Sequence, residues 1–234
     1  MADIIYTTDK QCIICEKTFQ VTKVRSRMVM TKQDSDFCTY YKDVNPYYYT
    51  VWVCPHCGFA AQDTEFAQLS SSAIEKIGKF LASRKVNVNY SGTRTRDQAI
   101  ATYKLALFYA DMAMLPASKL GGLYLRLGWL YREGEQPEEE IRALAKAAEY
   151  YDKALSAERM PIGGMSELAV IYLVGELLRR TGEIDQCLLY FNKIVSSPQA
   201  KLEKRIMDLT REAWHQARAA RDEAAAAAQE PSKV

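Results

Sequence analysis

The sequence has no excess of charge of either sign, because 31 lysines and arginines are nearly balanced by 29 aspartates and glutamates, for a formal net charge of +2. A chain this close to neutral gives no support for a strong, general attraction to nucleic acids or anionic membranes. It is also poor in glycine (11) and proline (7), while 48% of its 234 residues are apolar. That composition excludes a collagen-like or disordered chain and is typical of globular proteins.

Long hydrophobic segments are absent as well. The longest apolar stretch, residues 169–175, is flanked by Glu167 and Glu176 and is too short to span a bilayer. The first residues, MADIIYTTDKQC, contain acidic side chains and no continuous apolar stretch of the kind found in secretory signals. We therefore expect a cytoplasmic protein without membrane contacts, in a compartment where cysteines stay reduced.

Recognisable catalytic motifs are also missing. The sequence has no glycine-rich phosphate-binding loop, no His-Glu-x-x-His motif and no nucleophile elbow. We therefore expect a protein that is not an enzyme.

What the sequence does contain is an uneven distribution of cysteine, because five of the six lie within the first 57 residues. Four of them form two Cys-x-x-Cys motifs, Cys12 with Cys15 and Cys54 with Cys57. Two intervening residues allow both sulfurs of one tight turn to reach the same ion, and two such turns supply the tetrahedron of thiolates that zinc accepts readily. The sequence predicts one structural Zn²⁺ ion bound by these four cysteines, which leave no open position for catalysis.

Alternatives to this interpretation remain open at the level of sequence. Iron binds to four thiolates in the same way and would give a coloured protein. Redox cycling of one cysteine pair is less favoured, because neither motif lies in a thioredoxin-like βαβ context. Cys38 is a possible additional thiol, either a ligand or a site of oxidation, although burial is the commonest fate of a lone cysteine. His56, inside the second motif, is expected to be exposed rather than ligating.

Residues 1–62 are predicted to form a small β domain of the zinc-ribbon type. Alternating apolar and polar residues predict strands around Phe19 and Val21 and over residues 47–53, with another over residues 25–30. The 38 residues between the two motifs exceed the usual spacing of roughly 15–20, so we expect an expanded hairpin. Gly58 is expected to adopt a positive φ after the second motif, where the first motif has Glu16. A domain this small is expected to depend on its metal for folding free energy.

Beyond residue 62 the hydrophobic period changes from two residues to 3.6. This predicts helices over residues 65–84, 97–115, 118–133, 138–158, 165–181 and 184–196, with a last one from residue 201 into an alanine run. Gly128 and Gly175 recur within similar patterns typical of tetratricopeptide repeats. We expect an α+β fold that is mainly α, with a tetratricopeptide-like antiparallel helical array over residues 63–222. Residues 223–234 are expected to be the end of an alanine-rich helix and a disordered tail.

Stacked repeats of this type present their first helices on a concave face. The helical period places aromatic side chains beside arginines there, and arginine forks suit carboxylates. We predict a groove that binds an acidic or C-terminal segment of a protein or peptide partner, so the protein would be a zinc-binding adaptor; in the alternative, Trp129 and Tyr172 only pack between repeats. The predicted groove residues are Leu125, Trp129, Arg132, Tyr172, Glu176, Arg179 and Arg180.

A local excess of positive charge supports a second hypothesis, a zinc-ribbon protein that binds nucleic acid. It is less favoured, because scattered lysines and arginines are common on solvated helices and the whole chain is nearly neutral. The residues concerned are Lys23, Arg25, Arg27, Lys76, Lys79, Arg84, Lys85, Arg94, Arg96 and Lys104.

Several segments together resemble a bacterial family known only as a domain of unknown function. They are DSDFCTYY (residues 34–41), Asn45-Pro46, VCPHCG (residues 53–58), YKLA (residues 103–106) and LYLRLGWLYRE (residues 123–133). The resemblance covers about residues 9–218. It implies a bacterial cytoplasmic protein that joins a cysteine-rich segment to a tetratricopeptide-like half, and it implies no activity. The Asp-Phe-Cys sequence recurs in that family. This favours a function for Cys38 but does not identify one.

Overall fold

The structure is a computed structural model that describes residues 4–84, 86 and 88–229, with side chains as far as residue 226. Within this part of the chain, six short strands precede seven α-helices, and two 3-10 helices cover Pro46–Tyr49 and Pro198–Leu202. The strands are β1 (Ile5–Gln11), β2 (Thr18–Val24), β3 (Met30–Gln33), β4 (Thr39–Tyr41), β5 (Val51–Val53) and β6 (Ala60–Gln62). The helices are α1 (Ser71–Leu81), α2 (Arg96–Met112), α3 (Ala117–Glu133), α4 (Pro137–Ala157), α5 (Glu167–Arg180), α6 (Ile184–Val195) and α7 (Lys204–Gln229). The expected fold class, mainly α with a β part, is confirmed.

The β part consists of three antiparallel hairpins rather than one continuous sheet. β1 pairs with β2, β3 with β4, and β5 with β6. The first and third hairpins each carry one Cys-x-x-Cys motif in the turn. The long insert between the two motifs therefore contains a hairpin of its own, whose turn is formed by residues 34–38.

Two predicted strands are wrong in extent. The strand expected over residues 25–30 begins only at Met30, and of residues 47–53 only Val51–Val53 is a strand. The segment before β5 is a 3-10 helix because Asn45 Oδ1 accepts a hydrogen bond from the Tyr47 amide (3.0 Å) and Pro46 occupies the first turn.

The helix predictions are confirmed to within three residues, except at the start of α1. That helix begins at Ser71 rather than residue 65, because the Ser70 side chain caps it by accepting a hydrogen bond from the Ala73 amide (3.3 Å). The alanine run continues α7 to Gln229. The prediction of a disordered tail concerns residues 230–234, which lie outside the described residues. No described helix combines the length and apolar character needed to cross a membrane.

Successive helices pack against one another from α2 to α7. Glycines allow close contact within two of these pairs. A Cβ at Gly128 in α3 would lie 2.6 Å from Leu144 Cδ2 in α4, and one at Gly175 in α5 would lie 2.6 Å from Phe191 Cε1 in α6. The two glycines of the repeat pattern therefore have equivalent roles in successive helix pairs.

The hairpins and the first helices share one apolar core. Cys12, Phe19 and Phe59 from the hairpins belong to the same buried cluster as Leu123 and Leu130 from α3. Residue 62 thus separates strands from helices along the chain, but it does not separate two apolar cores.

Buried polar contacts attach the third hairpin to α2. The fully buried Tyr103 donates a hydrogen bond to the Tyr47 carbonyl (3.0 Å), and its hydroxyl lies 2.6 Å from Thr50 Oγ1. Arg94, also buried, donates to the carbonyls of Tyr48 (2.9 Å) and Val51 (2.7 Å). Burial lowers the pKa of Arg94 to about 10. Because this pKa is still above neutral pH, the side chain remains charged, and the two carbonyl groups accept hydrogen bonds from it.

Replacing Tyr103 by phenylalanine is expected to destabilise the protein by about 1–2 kcal/mol, because the Tyr47 carbonyl loses a buried donor. Urea unfolding of the metal-loaded protein measures this. The matched control is Tyr131→Phe, since the Tyr131 hydroxyl has no hydrogen-bond partner among the described residues, and this control should change stability far less. Equal losses in the two variants would show that the Tyr103 hydrogen bonds contribute little.

Candidate functional site

Both Cys-x-x-Cys turns have the same backbone structure. In each, the amide of the first cysteine bonds to a carbonyl five residues later, and the amide four residues later bonds back to that cysteine. The residue after the second cysteine has a positive φ, which is 59° for Glu16 and 81° for Gly58, so the expectation for Gly58 is confirmed. The hydrogen bonds are Cys12 N to Lys17 O (3.0 Å), Glu16 N to Cys12 O (2.8 Å), Cys54 N to Phe59 O (2.8 Å) and Gly58 N to Cys54 O (2.8 Å).

The four cysteine sulfurs form one compact group, with every Sγ within 4.8 Å of the others. Cys12 Sγ lies 3.6 Å from Cys57 Sγ, and Cys15 Sγ lies 3.7 Å from Cys54 Sγ. Disulfide sulfurs would be about 2.05 Å apart. Zinc–sulfur bonds of about 2.3 Å in a tetrahedron place neighbouring sulfurs about 3.8 Å apart. The spacing between the two motifs therefore fits thiolates around a metal ion.

The charge that this group can hold without a cation is limited. Hydrogen bonds from Cys12 and Cys57 lower the pKa of Cys54. The hydrogen bond to Cys54 raises the pKa of Cys12, and those to Cys12 and Cys54 raise that of Cys57. Four thiolates at this spacing need a cation between them, because each added negative charge repels those already present.

The remaining cysteines and His56 lie apart from this group. Within the described part of the chain, the residues with metal-ligand spacing are the four predicted cysteines, and Cys38 is not among them. His56 is exposed, as expected. Cys187 is fully buried, with its Sγ 3.0 Å from the Ile184 carbonyl.

The turn of the second hairpin, residues 34–38, lies against α3 and α5. We call these residues (Asp-Ser-Asp-Phe-Cys) the acidic segment. The Asp36 side chain has no exposed surface. Its Oδ2 accepts hydrogen bonds from Trp129 Nε1 (3.1 Å) and Arg132 Nη2 (2.6 Å), and its Oδ1 accepts from Arg132 Nη1 (3.1 Å). An arginine fork thus binds the buried carboxylate in a bidentate manner.

Arg132 connects this carboxylate to two others. Its Nη1 lies 3.0 Å from Asp34 Oδ2, and its Nε lies 2.7 Å from Glu140 Oε1. Burial lowers the pKa of Arg132, but hydrogen bonds and charge attraction from Asp36 and Glu140 outweigh this effect and raise it above its ordinary value. Arg132 is therefore charged at neutral pH and forms ion pairs with three carboxylates.

The other half of the acidic segment contacts α5. The Tyr172 hydroxyl donates to the Ser35 carbonyl (2.9 Å), and the Ser35 hydroxyl donates to Glu176 Oε1 (2.6 Å). Glu176 is itself fully buried and accepts hydrogen bonds from Arg179 and Arg180, each at 2.8 Å. The polar groups on this face are thus satisfied within the chain.

Apolar contacts complete the attachment. Phe37, which has a φ of 68°, lies with its ring centre 5.6 Å from that of Tyr172. Cys38 is buried in a cluster with Leu125 and Trp129. Burial, together with the neighbouring Asp36 charge, raises the pKa of Cys38 to about 12, so it is a protonated thiol at neutral pH.

The predicted groove residues therefore lie around the chain's own acidic segment: six contact it or share its apolar cluster, Arg180 Nη2 by donating to Ser35 Oγ (2.9 Å), and Arg179 reaches it through Glu176. Residues 34–38 thus occupy the face for which an acidic ligand was expected, and they were not identified as that ligand from the sequence. The available signal was charge complementarity, because the sequence has aspartates at positions 34 and 36 and the helical period predicts arginines on this face. Local patterns contain no information on which distant segments meet.

Several of the positively charged residues named for the nucleic-acid hypothesis are buried or contact other side chains of the chain. Arg94 is buried, and Lys79 pairs with Glu75 (2.6 Å). Lys104 lies 5.9 Å from the ring centre of Tyr131, and Lys85 lies outside the described residues.

The described residues thus combine a four-cysteine group with an array of antiparallel helices. Comparison with known families assigns the chain to one family. A family model described as "Uncharacterized protein conserved in bacteria (DUF2225)" matches residues 5–217, so the chain belongs to that family, and the resemblance seen in the sequence is confirmed. No curated protein and no solved structure matches the chain.

Replacing Asp36 by asparagine is expected to destabilise the protein by about 3 kcal/mol, because the buried Arg132 fork loses its bidentate partner. The control is Glu149→Gln, which removes one exposed carboxylate between Lys146 (2.8 Å) and Lys153 (2.7 Å) and should change stability by less than about 1 kcal/mol. Chemical denaturation measures both. A loss for D36N no larger than that for the control would contradict the importance of the buried pair.

The two cysteine turns provide a matched pair of substitutions. Gly58→Ala is expected to destabilise by about 1–2 kcal/mol, because its φ is positive and a Cβ would lie 2.9 Å from Val86 Cγ2. Glu16→Gly relieves the same backbone strain in the first turn and should be neutral or stabilising by up to about 1 kcal/mol. Thermal unfolding of both variants checks this, and two changes of the same sign would contradict it.

Proposed function

We propose that the protein is a non-enzymatic adaptor whose fold is held by a structural zinc ion and whose helical array binds a protein partner. Zinc is favoured because the two turns supply four thiolates at distances that suit a tetrahedral ion. Four protein ligands fill the coordination sphere, so the ion would link the first and third hairpins and would leave no position for a substrate.

The position of the cysteines supports a structural role. Cys12 and Cys54 are fully buried and belong to the apolar cluster that also contains residues of α1 to α4. Strands of three residues, such as β5 and β6, provide little cohesion of their own. The metal therefore supplies binding free energy that the hairpins need in order to fold.

Metal analysis of the purified protein is expected to find one zinc ion per chain and a colourless solution; a visible spectrum would indicate iron instead. Cys54→Ser should lose the metal, whereas the control Cys187→Ala should keep it. Removing the metal with a chelator should lower the melting temperature of the whole protein in one transition, because hairpins and helices share a core. Iron in place of zinc, the absence of any bound metal, or two separate transitions would contradict this account.

One observation carries the adaptor proposal. The face of α3 and α5 binds a peptide segment through an arginine fork, an indole donor and a tyrosine hydroxyl, and that segment belongs to the same chain. This chemistry is that of peptide recognition, in which aromatic and arginine side chains anchor an acidic segment. The helical array would bind a segment of another protein through the same kinds of side chain, in the reducing environment of the cytoplasm.

The adaptor role is tested by affinity capture of the tagged, metal-loaded full chain from its bacterial host. We expect one protein recovered near stoichiometric amounts, which binds again when both components are purified. The same protein after metal removal is the negative control. Recovery of nucleic acid, with salt-dependent gel shifts on random DNA or RNA, would favour the nucleic-acid alternative and contradict the adaptor role, as would the absence of any stoichiometric partner.

A further inference from the structure

An unfilled cleft lies beside the acidic segment on the helical array. Its volume is about 530 Å³, within the range of about 300–1,000 Å³ typical of ligand sites. The first half of α3, the end of α4 and the loop before α5 form its walls, and Phe37 of the acidic segment lies at one end. The apolar part of the lining includes Leu125, Trp129, Ile162 and Leu173.

A half-buried arginine without a carboxylate partner lines this cleft. Among the described residues, Arg126 has no acidic group at ion-pair distance, and its Nη1 donates a hydrogen bond to the Gly122 carbonyl of its own helix (3.3 Å). Arg132, six residues further along α3, has three carboxylate partners. A cation left without a counter-ion in a partly enclosed site favours an anionic ligand.

A second donor lies next to Arg126. A Cβ placed on Gly122 would be 3.3 Å from Arg126 Nη1 and 3.5 Å from the Tyr151 hydroxyl oxygen. Both groups therefore approach Gly122 at the wall of the cleft, where no side chain of residue 122 separates them. A carboxylate that reaches the two groups could accept hydrogen bonds from the guanidinium and the phenol together.

The other charged groups of the cleft do not neutralise Arg126. Glu158 accepts hydrogen bonds from the Ser118 amide (2.8 Å) and hydroxyl (2.5 Å), so it is engaged at the start of α3. Lys119 pairs with Glu65 (2.6 Å), while Arg159 is exposed and has no ion-pair partner among the described residues. The lining thus has a net positive charge.

The cleft continues the face that already binds a peptide. Trp129 lines the cleft and also donates to Asp36. Leu125 lies one turn before Trp129 on the same face of α3, and Arg126 adjoins Leu125. The two arginines are six positions apart, about 9 Å along the helix and about 120° around it.

We propose that this cleft binds a partner segment in which an acidic residue adjoins an aromatic or large aliphatic residue. The carboxylate pairs with Arg126 and the Tyr151 hydroxyl, and the apolar side chain packs against Leu125, Ile162 and Leu173. The inference rests on the proposed adaptor function, because it names the chemistry of the partner that the array would bind.

The test uses the peptide acetyl-Ser-Asp-Phe-amide, which reproduces the chemistry of the acidic segment, titrated into the isotope-labelled, zinc-loaded full chain and followed by NMR. We expect shifts confined to residues around 122–129, 151 and 159–165. The matched peptide acetyl-Ser-Asn-Phe-amide should bind about tenfold more weakly, because it lacks the charge. Arg126→Gln should weaken binding of the Asp peptide by about tenfold, and Arg126→Lys should restore most of it.

The control variant is Arg142→Gln, which removes the same charge from an exposed position of α4 and should leave binding unchanged. Melting curves of every variant establish that each is folded. Equal binding of the two peptides, no binding at 10 mM peptide (roughly the limit at which such weak contacts are meaningful), or binding of 3-phenylpropionate as tight as that of the Asp peptide would each overturn the proposal. The last result would indicate a site for small carboxylates rather than for a peptide.

The two proposals fail separately. Peptide binding as expected, with no protein partner captured from the host, would leave the cleft assigned and remove the adaptor role. Capture of a partner equally well by the wild-type protein and by Arg126→Gln would support the adaptor role. It would also show that the cleft does not bind that partner.

Discussion

The buried carboxylate of Asp36 is the constraint on which the arrangement of this molecule depends. A carboxylate without exposed surface is stable only when charge and hydrogen bonds replace its water, and here Arg132 and Trp129 do so. These groups come from a hairpin turn and from a helix that begins some eighty residues later, at Ala117. If either Asp36 or Arg132 is removed, the other is left as a buried charge without a partner, which strongly destabilises the protein. The pair therefore fixes how the second hairpin lies on α3, and through Ser35 and Tyr172 how it lies on α5.

The cysteine turns act at the other end of the β part. They join the first and third hairpins, which contribute Phe19 and Phe59 to a cluster that continues into α3. The four-cysteine group and the helical array therefore share one apolar core. The residue 62 boundary describes a change of secondary structure, and apolar contacts cross it.

Patterns local in sequence were sufficient for the helices and for the four-cysteine group. Amphipathic periodicity and capping residues such as Thr95 act within a few residues, and each Cys-x-x-Cys turn contains its own geometry. Local alternation failed at Tyr47 and Tyr49, because Asn45 and Pro46 favour a 3-10 turn. The acidic segment could not be assigned from sequence, since its partners lie about a hundred residues away and are selected by three-dimensional complementarity alone.

The insert that carries the acidic segment is anchored at both ends, by Cys15 on one side and Cys54 on the other. A metal ion bound by both residues would close a loop of 38 intervening residues. Loop closure restricts the volume in which the segment can move, and so would raise its effective concentration at the face of α3 and α5. Metal bound at the cysteines would thus strengthen, through a tether and without direct contact, the attachment of the acidic segment to the helices.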